Sequence, residues 1–224
     1  MYANSRDIRS AQSGPHEKLA ELLARQRQQA FRKPYAPWNV AAFEAAMQAW
    51  GGRSPLLLDA GCGVGWSSFQ LAHAYPDHFV LGVDQSADRI GRGKPGEQPA
   101  NLHFARADLV DFWRLLRDAG ARPARHYILY PNPWPKIGHL ARRWHGHPVF
   151  PTVIALGGVL EARSNWRIYL EEMAQALALL GGGQASVEPW TAETPLTAFE
   201  RKYRDSGQAL YRLQLDLGGR DESA

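Results

Sequence analysis

The sequence predicts an α/β protein: one open, mostly parallel sheet of seven strands, helices on both faces, and an antiparallel last strand. Three observations carry this reading. Short apolar runs alternate with helical patterns along the chain, the order that parallel crossover connections produce. The run Leu56-Leu-Leu-Asp59 is apolar without alternation, as suits a strand buried on both faces, and it empties into a glycine-rich turn. The run from Leu210 to Leu217 places Tyr211, Leu213, Leu215 and Leu217 on one face, which fits a long return strand.

The elements follow in order. Met1 to Pro15 is polar and is expected to be loose when no partner is bound. Pro15 can open a helix from Glu17 towards Gln29, with Leu19, Leu22 and Leu23 on its apolar side; Pro34 and Pro37 break it. A second helix from Val40 to Trp50 sets Phe43, Met47 and Trp50 at helical spacing, facing the sheet. Gly51 and Gly52 close this extension, residues 1–52, which is expected to pack on a core of residues 53–218. The strands expected in that core are Leu56–Asp59, Phe79–Asp84, Leu102–Ala105, His126–Tyr130, Val159–Ala162, Ala185–Glu188 and Leu210–Leu217. Helices are expected over Trp66–Ala74, Leu109–Asp118 and Asn165–Leu180, the last stopped by Gly181-Gly-Gly.

With 224 residues, 45% of them hydrophobic, the chain has enough apolar mass for one substantial core. No run approaches the eighteen apolar residues of a membrane span, and the first twenty residues lack the apolar block of a secretory signal. Cys62 is the single cysteine, so an internal disulfide is excluded. Inside the glycine loop it reads as a small apolar side chain. These features point to a soluble, cytoplasmic protein. The formal charge is +4, and its distribution is uneven. Between Asp118 and Glu161 there is no acid, yet Arg122, Arg125, Lys136, Arg142 and Arg143 fall there. A second acid-free interval, Leu22 to Phe43, holds Arg25, Arg27, Arg32 and Lys33. Two such intervals favour nucleic acid as a partner.

Gly61, Gly63 and Gly65 suit a backbone that turns tightly against a ligand. Their spacing is not the G-x-G-x-x-G of nicotinamide sites, and no Gly-Lys-Ser/Thr element marks a phosphate loop. Asp84 closes the second strand about twenty residues on, where a carboxylate can take two ribose hydroxyls. Asp59 can orient an ammonium group or serve as a turn carboxylate. Asp108 can accept from an adenine amine or cap the helix at Leu109. Glycine loop and Asp84 together resemble the first two motifs of class I S-adenosylmethionine methyltransferases, which implies S-adenosylmethionine as cofactor.

The run Tyr130-Pro-Asn-Pro-Trp-Pro-Lys136 has three prolines that stiffen the backbone directly after a strand. Asn132 offers a donor and an acceptor to a base edge, and Trp134 can stack on a ring or pack under the sheet. Lys136, His139 and Arg142 recur every three residues, so they can share a helical face towards phosphates, with Arg143 beside them. His139, His145 and His147 have no carboxylate or cysteine nearby in sequence, and a metal site is not expected.

This run, with His139 and Arg142-Arg143, resembles the Phe-Pro-Asp-Pro-Trp-Pro-Lys…His…Arg-Arg signature of bacterial tRNA (guanine-N7)-methyltransferases. The resemblance extends from Leu56 to Leu217. It takes in Ser164-Asn165-Trp166 with Tyr169, and Thr197-Ala-Phe-Glu200 with Gly207. It implies tRNA as partner and methyl transfer to guanine N7. Asp59, Gly61, Gly63, Gly65, Asp84 and Asp108 would hold the cofactor. Asn132, Asn165, Thr197 and Glu200 would orient the base, while Trp134, Lys136, His139, Arg142 and Arg143 would contact the RNA. Asn132 and Asn165 stand where the family carries aspartates. Guanine N7 already presents its lone pair, so transfer needs alignment more than a base. Restoring either aspartate is accordingly expected to be tolerated. A small-molecule or other nucleobase N-methyltransferase, or an inactive tRNA-binding paralogue, stands as the alternative.

Overall fold

In the computed structural model, residues 5–28, 31–92 and 96–218 are described. Met1 to Asn4 and the expected helix end at Gln29 lie outside them. The strands are β1 (Leu56–Ala60), β2 (Phe79–Asp84), β3 (Leu102–Arg106), β4 (Pro123–Leu129), β5 (Val159–Ser164), β6 (Val187–Trp190) and β7 (Leu210–Asp216). They form one sheet in the order β3-β2-β1-β4-β5-β7-β6. β1 pairs in parallel with both β2 and β4, and the parallel pairing continues to β3 and β5. Only β7 runs the other way, antiparallel to β5 and β6. The expected seven-stranded α/β sheet is therefore present. Because the chain leaves β1 in one direction and returns on its other side as β4, a crevice opens between their carboxyl ends.

The sheet is buried on both faces, which is why β1 reads Leu-Leu-Leu. Leu56 and Leu58 enter one cluster with Leu19, Leu23, Phe43, Phe112, Trp113, Phe150 and Met173. Leu57 faces the other way, among Phe69, Val80, Leu102, Tyr127 and Leu210. The helices are α1 (Leu19–Arg27), α2 (Pro37–Trp50), α3 (Trp66–Ala74), α4 (Ala87–Gly91), α5 (Leu109–Asp118), α6 (Phe150–Ala155), α7 (Arg167–Leu179) and α8 (Ala198–Asp205).

Pro37 does not break a helix but starts α2. At a first helical position the missing N–H is not needed and the fixed φ suits the turn. α4, α6 and α8 have five, six and eight residues, too few to show a period in the sequence. The sixth strand lies two residues later than its apolar pattern suggests and contains Pro189, tolerated because β6 is at the sheet edge. The polar segment after Asn4 forms no regular element, yet it is pinned. Ser10 Oγ donates to the Pro135 carbonyl at 2.7 Å, and Gln12 Nε2 donates to Glu172 at 2.9 Å.

Candidate active site

The site begins where β1 ends. Gly61, Gly63 and Gly65 take φ of 80°, 58° and 80°, which disfavours any side chain there. The Gly61 and Cys62 amides both donate to the Val83 carbonyl, at 2.8 and 3.0 Å, fastening the loop to β2. Gly63 N–H donates to Asp84 Oδ2 at 3.0 Å, and a Cβ on Gly63 would meet nothing within 4 Å. The loop thus borders open space. Asp84 is buried; its Oδ1 accepts from Ser86 N at 2.8 Å, and Arg89 lies 3.6 Å from Oδ2. Each oxygen keeps a lone pair beyond these bonds.

Asp59 is buried behind the loop. Its Oδ2 accepts from the Ser67 and Ser68 hydroxyls at 2.6 and 2.7 Å, while Oδ1 has no hydrogen-bond partner. Burial pushes its pKa above the usual carboxylate range, against those two hydroxyl donors. An orphaned, desolvated carboxylate oxygen beside a glycine turn is a ready contact for a cationic group or a water. Asp108 caps α5, accepting from Val110 N at 2.8 Å, and its own N–H donates to Asn39. The capping alternative is what the hydrogen bonds show for it.

The other half of the site follows β4 and β5. Tyr130 N–H donates to the Arg163 carbonyl at 2.8 Å as the chain leaves the sheet. Tyr130 and Trp134 adopt φ of 50° and 46°, strained for residues with side chains. Between them Asn132 is exposed, and its Oδ1 accepts from Trp134 N at 3.4 Å. Trp134 does not pack beneath the sheet. The Arg142 guanidinium lies over its ring at 4.9 Å, and His139 meets it edge-on. Ile137–Arg142 is a 3-10 helix, so the three-residue spacing of Lys136, His139 and Arg142 matches its period. Burial, then the charges of Arg142 and Lys136, hold His139 below its ordinary pKa.

Arg143 is a different case from its neighbour. It is fully buried, and its Nη1 donates to both Glu172 oxygens at 2.7 and 2.6 Å. Its remaining donors reach Gln12 Oε1 and the Trp134 carbonyl, at 2.6 and 3.1 Å. It holds the loop from behind and has no free donor face for a phosphate. Burial pushes Glu172 up, but hydrogen bonds and charge from His145, Arg143 and Gln12 outweigh it and bring its pKa to about 2.

Glu200 is likewise buried. It accepts from Tyr130 Oη at 2.8 Å, Arg163 at 3.0 Å, Trp190 Nε1 at 3.1 Å and Leu196 N at 2.6 Å. With both oxygens engaged, it braces the strained Tyr130 turn and does not stand open to a base. Thr197 caps α8 through Glu200 N at 2.9 Å. Asn165 stands directly after β5, half-buried, and donates from Nδ2 to Gln208 Oε1 at 2.8 Å. Gln208 and Arg163 carried no motif, so sequence reasoning missed both; only the fold brings them to the site.

Lys136 and Arg142 are exposed beside the loop. Of the other cations in that acid-free interval, Arg122 precedes β4, at the opposite end of that strand from the loop, and Arg125 lies over Tyr75 at 5.0 Å. Arg25, Arg27, Arg32 and Lys33 are exposed on and after α1. An open cleft of about 410 Å³ lies at the ends of β6 and β7, lined among others by Arg167, Trp190, Arg204, Gln208 and Tyr211. Among the described residues no group of three His, Cys, Asp or Glu is placed to hold a metal, and no helix is long and apolar enough to cross a membrane.

A family model described as "Putative methyltransferase" matches residues 53–213. The tRNA (guanine-N(7)-)-methyltransferase of Pseudomonas savastanoi pv. phaseolicola is 28% identical over 180 residues, 75% of this chain and 73% of that one. The tRNA (guanine-N(7)-)-methyltransferase of Treponema pallidum (strain Nichols) is 31% identical over 170 residues, 71% of this chain and 66% of its own. Among solved structures, the 16S rRNA methyltransferase KamB superposes with a TM-score of 0.58 at 19% identity, covering 83% of this chain and 95% of that chain. A mutant 16S rRNA (adenine(1408)-N(1))-methyltransferase from Catenulisporales acidiphilia, solved with cosubstrate SAM, gives 0.55 at 21% identity over 81% and 93%. These structural likenesses are ones of fold.

Proposed function

The chain belongs to the family described as "Putative methyltransferase", and on that footing we propose that it methylates N7 of a guanosine in tRNA with S-adenosylmethionine as donor. The observation that carries this is the placement of two unlike half-sites at the carboxyl end of the parallel strands. A glycine loop with Asp59 and Asp84 ends β1 and β2, and a stiff Pro-Asn-Pro-Trp-Pro-Lys loop ends β4, across the crevice. The relatives named as tRNA (guanine-N(7)-)-methyltransferases support the choice of acceptor.

The residues of the first half fit such a donor. Asp59 Oδ1 lacks a partner, the loop borders open space at Gly63, and Asp84 retains lone pairs for ribose hydroxyls. When bound, S-adenosylmethionine supplies a methyl group on a sulfonium, already activated for displacement. What the protein adds is position. Guanine N7 carries an available lone pair and no proton, so no general base is required of Asn132 or Asn165. Asn132 and Asn165 hold the base edge by hydrogen bonds. Trp134 offers a ring beside them, with Arg142 laid over it. Lys136 and Arg142, both exposed, take backbone phosphates. Glu200, Thr197 and Arg143 act from behind, keeping Tyr130, α8 and the Trp134 carbonyl in place.

The test is incubation with labelled S-adenosylmethionine and tRNA from cells lacking this gene, then digestion and nucleoside mass spectrometry. The reading expects label in 7-methylguanosine at one tRNA position. Label in a small molecule, in another nucleoside, or in nothing at all contradicts it.

A further inference from the structure

A hydrogen-bond relay runs from the N-terminal segment into the acceptor half of the site. Gln208 Nε2 donates to the Ser5 carbonyl at 3.1 Å, and Gln208 Oε1 accepts from Asn165 Nδ2 at 2.8 Å. A main-chain carbonyl can only accept, so it sets the direction of the whole relay. Nε2 must face Ser5, Oε1 must face Asn165, and the Asn165 amino group must donate. Ser5 is itself held, its N–H donating to Ser206 Oγ at 3.1 Å. What remains is Asn165 Oδ1, which makes no hydrogen bond among the described residues and is not among their sealed, unpartnered polar atoms.

We infer that Gln208 is a positioning residue that turns the Asn165 amide so that the site offers a carbonyl oxygen, selecting an acceptor base whose edge donates N–H. Guanine meets this requirement with its ring N1–H and its exocyclic amine. The inference rests on the proposed role of Asn165 as a base contact and adds what that contact recognises. It also separates the two asparagines. Asn132 Oδ1 faces a main-chain N–H of Trp134, a partner an aspartate serves equally well. An aspartate at 165 cannot donate to Gln208 Oε1. Turning Gln208 to meet it would set that oxygen against the Ser5 carbonyl. Restoring the carboxylate is therefore unfavourable at 165 and tolerated at 132.

The experiment uses tRNA transcripts carrying, at the position that wild-type protein methylates, guanosine, inosine or 1-methylguanosine. The two analogues each remove one N–H group from the edge. Wild-type protein is expected to favour guanosine over at least one analogue by roughly tenfold or more in kcat/KM, as for a site whose hydrogen-bonding group is left without its partner. Gln208→Ala frees the Asn165 amide to rotate and is expected to shrink that preference to about threefold or less. Gln208→Glu keeps an acceptor for Asn165 but sets its second oxygen against the Ser5 carbonyl, so it should lower activity and stability while retaining the wild-type preference among the three substrates. A purely structural role would lower all three substrates together. Unchanged preference in Gln208→Ala, equal loss in both variants, or no preference in wild type overturns the inference.

A thermal-unfolding cycle keeps the relay separate from the activity. Asn165→Asp should lower Tm in the wild-type background and lower it less beside Gln208→Ala. Equal losses in both backgrounds would show that no relay exists. Wild-type protein inert on every RNA would end the proposed function, and the selection of a base with it, while the cycle still decides the relay.

Discussion

His126 is kept neutral by a neighbour as well as by burial. Trp113 Nε1 donates to its Nε2 at 3.1 Å, so that nitrogen must carry a lone pair, and Nδ1 is buried without a partner. Burial pushes the pKa down to about 3. The unfolded histidine takes its proton near 6.5, before the folded one does. Stability from this residue is thus complete above that value and lost as pH falls towards 3, by about 1.4 kcal/mol per unit. Buried His145, also held below its ordinary value by burial, acts in the same direction. Glu172 starts lower, losing its contribution only as pH falls from the usual carboxylate range towards about 2. His126→Gln, which can still accept from Trp113, should flatten the fall in Tm between pH 6.5 and 5. Parallel curves for mutant and wild type, followed by calorimetry, would contradict the assignment. At this scale the sequence was legible where geometry is local: Gly61, Gly63 and Gly65 take the positive φ that their turn requires, and Asp84 ends β2. It was not legible at Arg143, whose neighbour Arg142 is exposed, because its partner Glu172 is 29 residues away.

At the scale of elements, α8 shows how a motif can mislead about role. Thr-Ala-Phe-Glu reads as a functional tail, and the structure makes it a cap and a brace: Thr197 starts the helix, and Glu200 gathers Tyr130, Arg163, Trp190 and Leu196. Glu200→Ala would leave the buried Arg163 facing only Glu161 and should lower stability by about 3–5 kcal/mol. Glu200→Gln, which keeps an acceptor for Tyr130, should lose less. Denaturant titration of both checks this. A folded, fully stable Glu200→Ala that has lost only methyl transfer would return Glu200 to direct base contact. The short helices escaped the sequence because a period needs more than one or two turns. The long elements did not, since burial on both faces writes itself into β1 and the amphipathic stripe into α5.

For the whole molecule, the basic intervals resolve into separate surfaces. Lys136 and Arg142 sit exposed by the acceptor loop, Arg25, Arg27, Arg32 and Lys33 on and after α1, and Arg143 not on the surface at all. Lys136→Ala and Arg142→Ala should weaken binding to many RNAs by similar factors. Each should also reduce the slope of log affinity against log salt by about 0.7–0.9. Arg143→Ala should instead lower stability, leaving buried Glu172 short of its main partner. Binding titrations at several salt concentrations, beside unfolding curves, distinguish these. Salt slopes unchanged in the first two variants would make the run ordinary surface.

The central claim is that the carboxyl end of the parallel strands is divided between a donor half at β1 and β2 and an acceptor half at β4 and β5. The most direct measurement is a paired one on Asp84→Ala and Asn132→Ala: S-adenosylmethionine affinity by calorimetry, and kcat/KM for tRNA methylation at saturating cofactor. Asp84→Ala should weaken cofactor binding by roughly tenfold or more, the loss of a hydrogen bond to a charged group. Asn132→Ala should keep cofactor affinity and lose about ten- to a hundredfold in kcat/KM. Folded variants in which both substitutions lower cofactor affinity alike, or in which Asp84→Ala leaves it untouched, would contradict the division.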